Sequence, residues 1–131
     1  MYTRQGKCSS FGGSLDTGVG KTETLALYPL TLARKLDEPI YNQNYCAMRW
    51  DYRAIQKALG VSRNEALVWL RHQEILVCAN GATVACVPVD YGPARSTGRL
   101  IDLGPKVLEV LRLATDDIVS VALPDACALA D

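Results

Sequence analysis

The segment VACVPVDYGP at residues 84–93 decides the fold, together with GRLIDL at residues 98–103. The first is a β-branched strand that runs into Asp90 and is turned by a Gly-Pro pair, and the second is a short apolar strand that carries Asp102. Short strands of this kind close into small barrels, in which the ends of several strands meet at one rim. We therefore expect both carboxylates near one rim of a closed barrel.

The length and composition are those of one folded domain. The chain has 131 residues, of which 49% are apolar and 21% are charged, and this is enough to bury a core. The formal net charge is zero, so the basic surface that binds a phosphate backbone is missing and we expect no nucleic-acid partner. No apolar run reaches membrane-spanning length and residues 1–7 lack the apolar centre of a signal peptide, so we expect no membrane partner either.

The five cysteines predict no metal site and no cofactor. They are scattered along the chain, and no close Cys-x-x-Cys pair is present for zinc or redox chemistry. Cys78 and Cys86 fall on the two arms of a predicted hairpin and could face each other. Buried reduced thiols are the interpretation that we favour.

A β-hairpin is the strongest local signal. Asn80-Gly81 separates the apolar runs 75–79 and 82–89, and this pair is typical of a type I′ turn because both residues can adopt positive φ. Residues 62–65 form a capping-box signature for a helix start, and Gly60 separates two helical pieces within 51–72. The remaining expected elements are a short strand entering a loop at 8–13, strands at 45–50, 99–103 and 118–123, a helix at 105–113, an extended piece and helical turn at 25–36, and a tail at 124–131. These elements predict a single, mainly β domain over residues 1–131.

Two short motifs at residues 15–22 point to other functions. GVGKT at 18–22 is similar to a phosphate loop, but the first glycine of that motif would fall at Leu15 and no apolar strand precedes it. DTG at 16–18 is the triplet of aspartic proteases, in which paired aspartates share a proton. We keep a retroviral-type aspartic protease that uses Asp16 as a remote alternative.

Three segments resemble the double-psi β-barrel of the rare-lipoprotein-A type. They are GKCSSFG at 6–12, VDYGP at 89–93 and GRLIDL at 98–103, which are similar to that family's Gly-x-Ala-Ser-aromatic-aromatic-Gly, Asp-Arg-Gly-Pro and Gly-Arg-x-Ile-Asp-Leu-Ser. The resemblance covers about residues 6–36 and 75–123. It implies a mainly β fold with small helices, namely a six-stranded double-psi β-barrel with a helical insertion at 51–72.

The resemblance also implies a function. Members of this superfamily bind glycan chains in a groove across the barrel, and the aspartate of Asp-x-Gly-Pro is the acid of lytic transglycosylation. Carried over, Asp90 would protonate the glycosidic oxygen. Asp102 matches a position that is more often structural, and Asp16 is a further candidate because related endoglucanases carry an early carboxylate.

Some positions depart from the family pattern. Arg34 stands where the family has a histidine, and arginine cannot shuttle a proton near neutral pH. Tyr91 replaces the arginine that follows the catalytic aspartate, and Gly104 replaces the serine after Ile-Asp-Leu. Among residues outside the acidic set, we expect Tyr91, Arg34, Arg99 and Trp50 to contact the glycan.

Residues 16–19, 47–52 and 90–93 together also resemble small barrel proteins encoded in bacteriophage genomes. Such a protein would reside in the virion or the host cytoplasm and reach the cell wall when it is released or delivered. Two functions stay open. One is a peptidoglycan-directed enzyme, and the other is a non-catalytic adaptor that binds other virion proteins of a tail or baseplate. Asp90 fits either, because an aspartate before Gly-Pro is often a turn former.

Overall fold

The computed structural model describes residues 1–12, 16, 23–32 and 43–130, which contain one closed β-barrel. The strands are β1 (Tyr2–Ser10), β2 (Thr24–Leu25), β3 (Tyr28–Leu32), β4 (Tyr45–Met48), β5 (Ile75–Ala79), β6 (Ala82–Tyr91), β7 (Arg99–Leu103) and β8 (Ile118–Leu123). The helices are α1 (Tyr52–Leu59), α2 (Arg63–Arg71) and α3 (Pro105–Leu111), and a short 3-10 helix covers Arg95–Thr97. None of the helices in these ranges has the length and apolar character that crossing a membrane requires.

The barrel contains six strands in the order β1-β7-β4-β6-β5-β8, and β8 closes it against β1. The pairs β1–β7 and β4–β6 are parallel, and the other four pairs are antiparallel. Strands β2 and β3 form a separate hairpin. The predicted six-stranded closed barrel with small helices is therefore confirmed.

The pairing pattern has an internal two-fold symmetry. Exchanging the set β1, β4, β5 with the set β6, β7, β8 leaves every pair and its direction unchanged. Helices α1 and α2 connect β4 to β5, and α3 connects β7 to β8, so the helices occupy equivalent places in the two halves. The helical segment at 51–72, predicted as an insertion, is thus the longer counterpart of α3 in the other half of the barrel. It is an insertion only in comparison with the sequences that this chain resembles.

Two apolar clusters stabilise the barrel. The larger one fills the interior with fully buried side chains such as Met48, Ile75 and Ile101. The smaller one lies on the outer face, where Leu25 of β2 packs with Tyr45 and Val89. Because strand side chains alternate between the two faces, Tyr45 can belong to the outer cluster while its neighbour Cys46 belongs to the inner one. The outer cluster holds the β2–β3 hairpin against the barrel.

The local turn and cap predictions are confirmed. Asn80 and Gly81 have φ of 51° and 77°, as a type I′ turn requires. Ser62 accepts a hydrogen bond from the Glu65 amide, and the Glu65 side chain accepts one from the Ser62 amide, which completes the capping box. Gly60 ends α1 with φ of 67° in the left-handed region.

Several predicted boundaries need correction. Strand β1 begins at Tyr2, well before the predicted short strand, because it pairs with both β7 and β8 over its length. The predicted tail is packed: the Asp51 amide donates to the Ala128 carbonyl at 2.9 Å, and Cys127 is fully buried. The predicted helical turn at 32–35 lies outside the described residues except for Leu32, which is the last residue of β3.

The cysteine prediction is confirmed. All five cysteines are free thiols, and four of them are buried. Cys78 faces Thr83 across the hairpin, while Cys86 faces Ile75, so the two thiols are not opposite each other. Burial raises the pKa of the Cys86 thiol to about 12, which keeps it protonated and unreactive.

Candidate active site

Four residues on neighbouring strands form a row across the parallel part of the barrel. Ser9 of β1 is in register with Asp102 of β7, Asp102 with Ala47 of β4, and Ala47 with Asp90 of β6. Residues in register on adjacent strands share a face of the sheet. The row faces outward, because the residues on either side of Asp102 are fully buried in the core. Two predicted carboxylates are therefore brought onto one outer surface.

A β-bulge sets the direction of Asp90. The register between β4 and β6 shifts by one residue after Cys46, so that Cys46 pairs with Pro88 but Ala47 pairs with Asp90. The extra residue is Val89, which lies in the outer cluster. Bulges of this kind re-aim the side chains that follow them. Without this bulge, Asp90 would point toward the barrel interior.

Asp102 has the most perturbed carboxyl group of the row. Its pKa is raised to about 6, first by desolvation and then by the negative charges of Asp90 and Asp16, against the opposing effects of the hydrogen bond from Ser9 and of Arg99. Gly92 lies directly over it, since a Cβ on Gly92 would be 3.5 Å from Asp102 Oδ2. A carboxyl group with a pKa in this range holds its proton in weak acid and can donate it near neutral pH.

Asp90 is held by backbone amides. Its Oδ1 accepts hydrogen bonds from the Ala26 amide in the β2–β3 turn and from its own neighbour Tyr91, both at 2.8 Å. The pKa of Asp90 is raised overall, because desolvation and the charge of Glu23 raise it by more than the two amide hydrogen bonds lower it. The carboxylate thus ties the outer hairpin to β6, which is a structural role.

Asp16 completes the acidic group. Its Oδ2 accepts a hydrogen bond from the Gly12 amide at 2.7 Å, just beyond the end of β1. Its charge is close enough to raise the pKa of Asp102. Asp90 and Asp16 thus both act on Asp102 electrostatically, and Asp90 and Asp102 also share one outer face. Over the described ranges, however, no three His, Cys, Asp or Glu side chains are close enough to hold a metal ion.

An open cleft lies beside this acidic group. It has a volume of about 570 Å³ and is bounded by Ala26 and Tyr91, whose amides hold Asp90. The other lining residues come from the start of α1, the start of α2 and the C-terminal segment: Trp50, Asp51, Tyr52, Arg53, Arg63 and Ala130. Neither Asp90 nor Asp102 lines the cleft, so a bound chain would have to extend past Tyr91 to reach them.

The predicted substrate-binding residues are not all placed as expected. Tyr91 is 45% exposed and lines the cleft, as a contact residue should. Trp50 is only 1% exposed, because its ring is packed in the core and its indole N–H donates to the Asp90 carbonyl at 2.9 Å. Its buried ring offers no face for stacking, although Trp50 belongs to the lining of the cleft, and a contact with the glycan stays a prediction. Arg34 lies outside the described residues.

Arg99 is engaged elsewhere. Its guanidinium forms an ion pair with Asp116 at 2.9 Å, and this contact lowers the pKa of the Asp116 carboxyl. The pair ties the start of β7 to the loop before β8. Arg99 still lies close enough to Asp102 to lower its pKa, but it forms no hydrogen bond to it among the described contacts.

Several residues at this site were not predicted. Ser9 lies in the segment 6–12 that resembles a family motif, but no role was assigned to it, and Ala26, whose amide donates to Asp90, lies in a segment without a recognisable motif. Arg53 and Arg63 line the cleft from two different helices. The local signal for them was the run Trp50-Asp51-Tyr52-Arg53, in which aromatic and charged residues begin a helix.

The topology defines the class of this chain as a double-psi β-barrel, with six strands, two parallel pairs and an internal two-fold. No protein-family model matches the sequence, and no curated protein matches it. Among solved structures, the chain is similar to the crystal structure of the computationally designed msDPBB_sym2 protein. That similarity has a TM-score of 0.47 and 7% sequence identity, and it covers 94% of this chain and 100% of the other.

Proposed function

We propose that the protein cleaves a glycan chain of the peptidoglycan type, with Asp102 as the general acid. The observation that carries the proposal is that Asp90 and Asp102 share one outer face, where desolvation and the charges of Asp90 and Asp16 raise the pKa of Asp102 to about 6. Glycosidic bonds are cleaved by carboxyl groups that remain protonated near working pH. The assignment moves the acid from Asp90, which its motif favoured, to its neighbour across Ala47 in the row.

The chemistry needs only one proton-transferring group. Asp102 gives its proton to the glycosidic oxygen as the bond to the anomeric carbon breaks. The resulting carboxylate then takes the proton from the 6-hydroxyl of the same sugar as that oxygen closes on the anomeric carbon. This sequence returns Asp102 to its starting state and leaves a 1,6-anhydro end, as the resemblance to the rare-lipoprotein-A type implies. Asp90 and Asp16 support the step by raising the proton affinity of Asp102.

Purified protein incubated with cell-wall sacculi tests the proposal. We expect soluble fragments with anhydro ends from the wild type and at least about a hundredfold less from Asp102→Asn. Asp90→Asn is the matched control, since its amide oxygen still accepts from the Ala26 amide and it should retain activity within about tenfold. No release from folded wild-type protein would remove the enzymatic proposal.

A second candidate is a non-catalytic adaptor barrel in a phage virion. It is favoured by the two amide hydrogen bonds to Asp90, which make that carboxylate part of the scaffold. Under this proposal the sacculi stay intact, and the barrel assembles with other virion proteins. Gel filtration with candidate tail or baseplate components then shows a complex that the Asp102→Asn variant forms equally well.

A further inference from the structure

The cleft beside Tyr91 contains two cationic side chains that have no acidic partner among the described residues. Arg53 and Arg63 both line it and both are exposed. Neither forms an ion pair with a described carboxylate, whereas the ion pairs of the described residues involve the N-terminus with Asp125 and Arg99 with Asp116. Asp51 also lines the cleft, but its carboxylate caps α1 by accepting from the Ala54 amide at 3.0 Å.

The same cleft contains two neighbouring aromatic rings, tilted relative to each other. The rings of Tyr52 and Tyr91 lie 6.0 Å apart at 34°, and the Arg63 guanidinium lies 4.7 Å from the centre of the Tyr52 ring. Tyr91 is 45% exposed, so its face is available to a ligand. Tyrosine presents an apolar ring with a polar end, which suits the mixed surface of a pyranose. Arginine held over an aromatic ring is pre-oriented to bind a carboxylate in a bidentate manner.

A third observation is an unsatisfied polar group in the cleft wall. The Tyr52 hydroxyl is buried and has no hydrogen-bond partner in the described part of the protein. Buried polar atoms in folded proteins nearly always have a partner, and an orphan group requires an explanation. An outward movement of the Tyr52 side chain on ligand binding would bring this hydroxyl to the ligand and remove the cost of leaving it unpaired. The cleft volume of about 570 Å³ also falls within the usual range for small-ligand sites.

We infer that this cleft is a subsite for a sugar unit that bears a carboxylate, bound by Arg53 and Arg63 and packed on Tyr91, with Tyr52 donating a hydrogen bond. The inference rests on the proposed function for the assignment of a glycan ligand. It adds to that function the negative charge that the glycan carries. A neutral polysaccharide would leave both guanidinium groups without a partner. The subsite therefore selects an acidic chain and directs it past Tyr91 toward the aspartates.

Two monosaccharides that differ in one substituent test this inference. N-acetylmuramic acid carries a lactyl carboxylate that N-acetylglucosamine lacks. We expect titration calorimetry or NMR shifts at Tyr91 and Tyr52 to show saturable binding of the acid, at least about tenfold tighter than the neutral sugar. Glucuronic acid is the third arm, since it distinguishes recognition of the lactyl group from recognition of any sugar carboxylate. Equal affinity for the acidic and neutral sugars, or no binding of either, would overturn the inference.

Variants locate the effect. Arg53→Gln and Arg63→Gln should each weaken binding of the acid about five- to tenfold. Lys57→Gln removes the same charge from α1, the helix of Arg53, but outside the cleft, and it should leave binding of the acid unchanged. Tyr52→Phe should weaken it without lowering the melting temperature, because the removed hydroxyl is unpaired in the free protein. An unchanged affinity in all three cleft variants would contradict the proposed subsite.

The failure of this inference can be told apart from the failure of the proposed function. If wild-type protein releases anhydro ends from sacculi but does not discriminate between the two sugars, the cleavage stands and the subsite is rejected. If it binds the acidic sugar but releases no fragments, the subsite stands and the protein is a binding module.

Discussion

Asp90 and Asp102 occupy the same row of the barrel, two strands apart, and desolvation raises the pKa of both, but their hydrogen-bond partners differ. Asp90 receives two backbone amides at 2.8 Å and thereby fastens the β2–β3 hairpin to β6. Asp102 receives a hydroxyl hydrogen bond from Ser9, is desolvated, and lies near the charges of Asp90 and Asp16. Amide donors satisfy a carboxylate in its charged form, whereas burial near other carboxylates favours the protonated form. One aspartate is thus a structural tie and the other an acid.

The internal two-fold relates each of the two aspartates to a different residue in the other half of the barrel. It exchanges β1 with β6 and β4 with β7, so Ser9 and Asp90 occupy equivalent positions, as do Asp102 and Ala47. One pair of equivalent backbone positions therefore holds the Ser9 hydroxyl and the Asp90 carboxylate. The other pair holds the Asp102 carboxylate and the Ala47 methyl group. The barrel provides two similar places for a functional group, and the side chains decide what each place does.

The largest expected effect is on catalysis. Replacing Asp102 with Asn should reduce release of anhydro ends at least about a hundredfold, while replacing Asp90 with Asn should reduce it at most about tenfold. The difference follows from which carboxyl group holds the proton. High-performance chromatography of the fragments from sacculi measures both rates. The opposite ranking would return the acid role to Asp90.

The second effect is on the pH dependence of stability. Because the folded pKa of Asp102, about 6, lies above its unfolded value, its protonated form contributes stability that is fully present below about pH 4 and is lost as the pH rises through about 6. Asp102→Asn cannot ionise, so relative to the wild type it should gain up to about 3 kcal/mol in free energy of unfolding between pH 4 and pH 7.5. Urea denaturation at the two pH values measures this gain, and a constant difference would contradict the raised pKa.

The third effect concerns the structural tie. Asp90→Ala leaves the amides of Ala26 and Tyr91 without an acceptor and should cost about 2 kcal/mol of stability. Asp90→Asn keeps an acceptor oxygen and should cost less than about 1 kcal/mol. Denaturant titration at pH 7 compares the two variants. Equal stability of the alanine variant and the wild type would show that the amide contacts contribute nothing.

The smallest effect tests the Ser9 contact. Its hydrogen bond lowers the pKa of Asp102, so Ser9→Ala should raise that pKa by about half a unit to one unit. In the Ser9→Ala background, the stability gain of Asp102→Asn should therefore occur at a higher pH than it does in the wild-type background. Ser10→Ala is the control, since Ser10 pairs with Leu103 rather than with Asp102. A fall in the pKa of Asp102 in Ser9→Ala would contradict the assigned contact.

The structural features that the sequence predicts correctly are those that depend on local interactions. The Asn80-Gly81 turn and the Ser62–Glu65 capping box each depend on residues within a few positions of one another, and both are confirmed. The short strand predicted at 8–13 overlaps only the end of β1. Residues 2–7 were missed, because their exposed polar side chains give little apolar signal and their strand character comes from pairing with β8.

The site was predicted only in part for the same reason. The aspartates themselves are visible in their motifs, but which of them is desolvated depends on neighbours that are distant in sequence. Ser9 lies 93 positions from Asp102, and Ala26 lies 64 positions from Asp90. The burial of Trp50 likewise follows from its hydrogen bond to the Asp90 carbonyl and from its β-bridge to Leu129. No local sequence pattern predicts either contact.

A residue-specific titration of the aspartate carboxyl carbons by NMR tests the division of roles most directly. The account predicts that Asp102 changes protonation near pH 6, and that Ser9→Ala moves this midpoint upward while leaving that of Asp90 in place. An Asp102 carboxyl that titrates at or below about pH 4, in the ordinary range of an exposed aspartate, would contradict it.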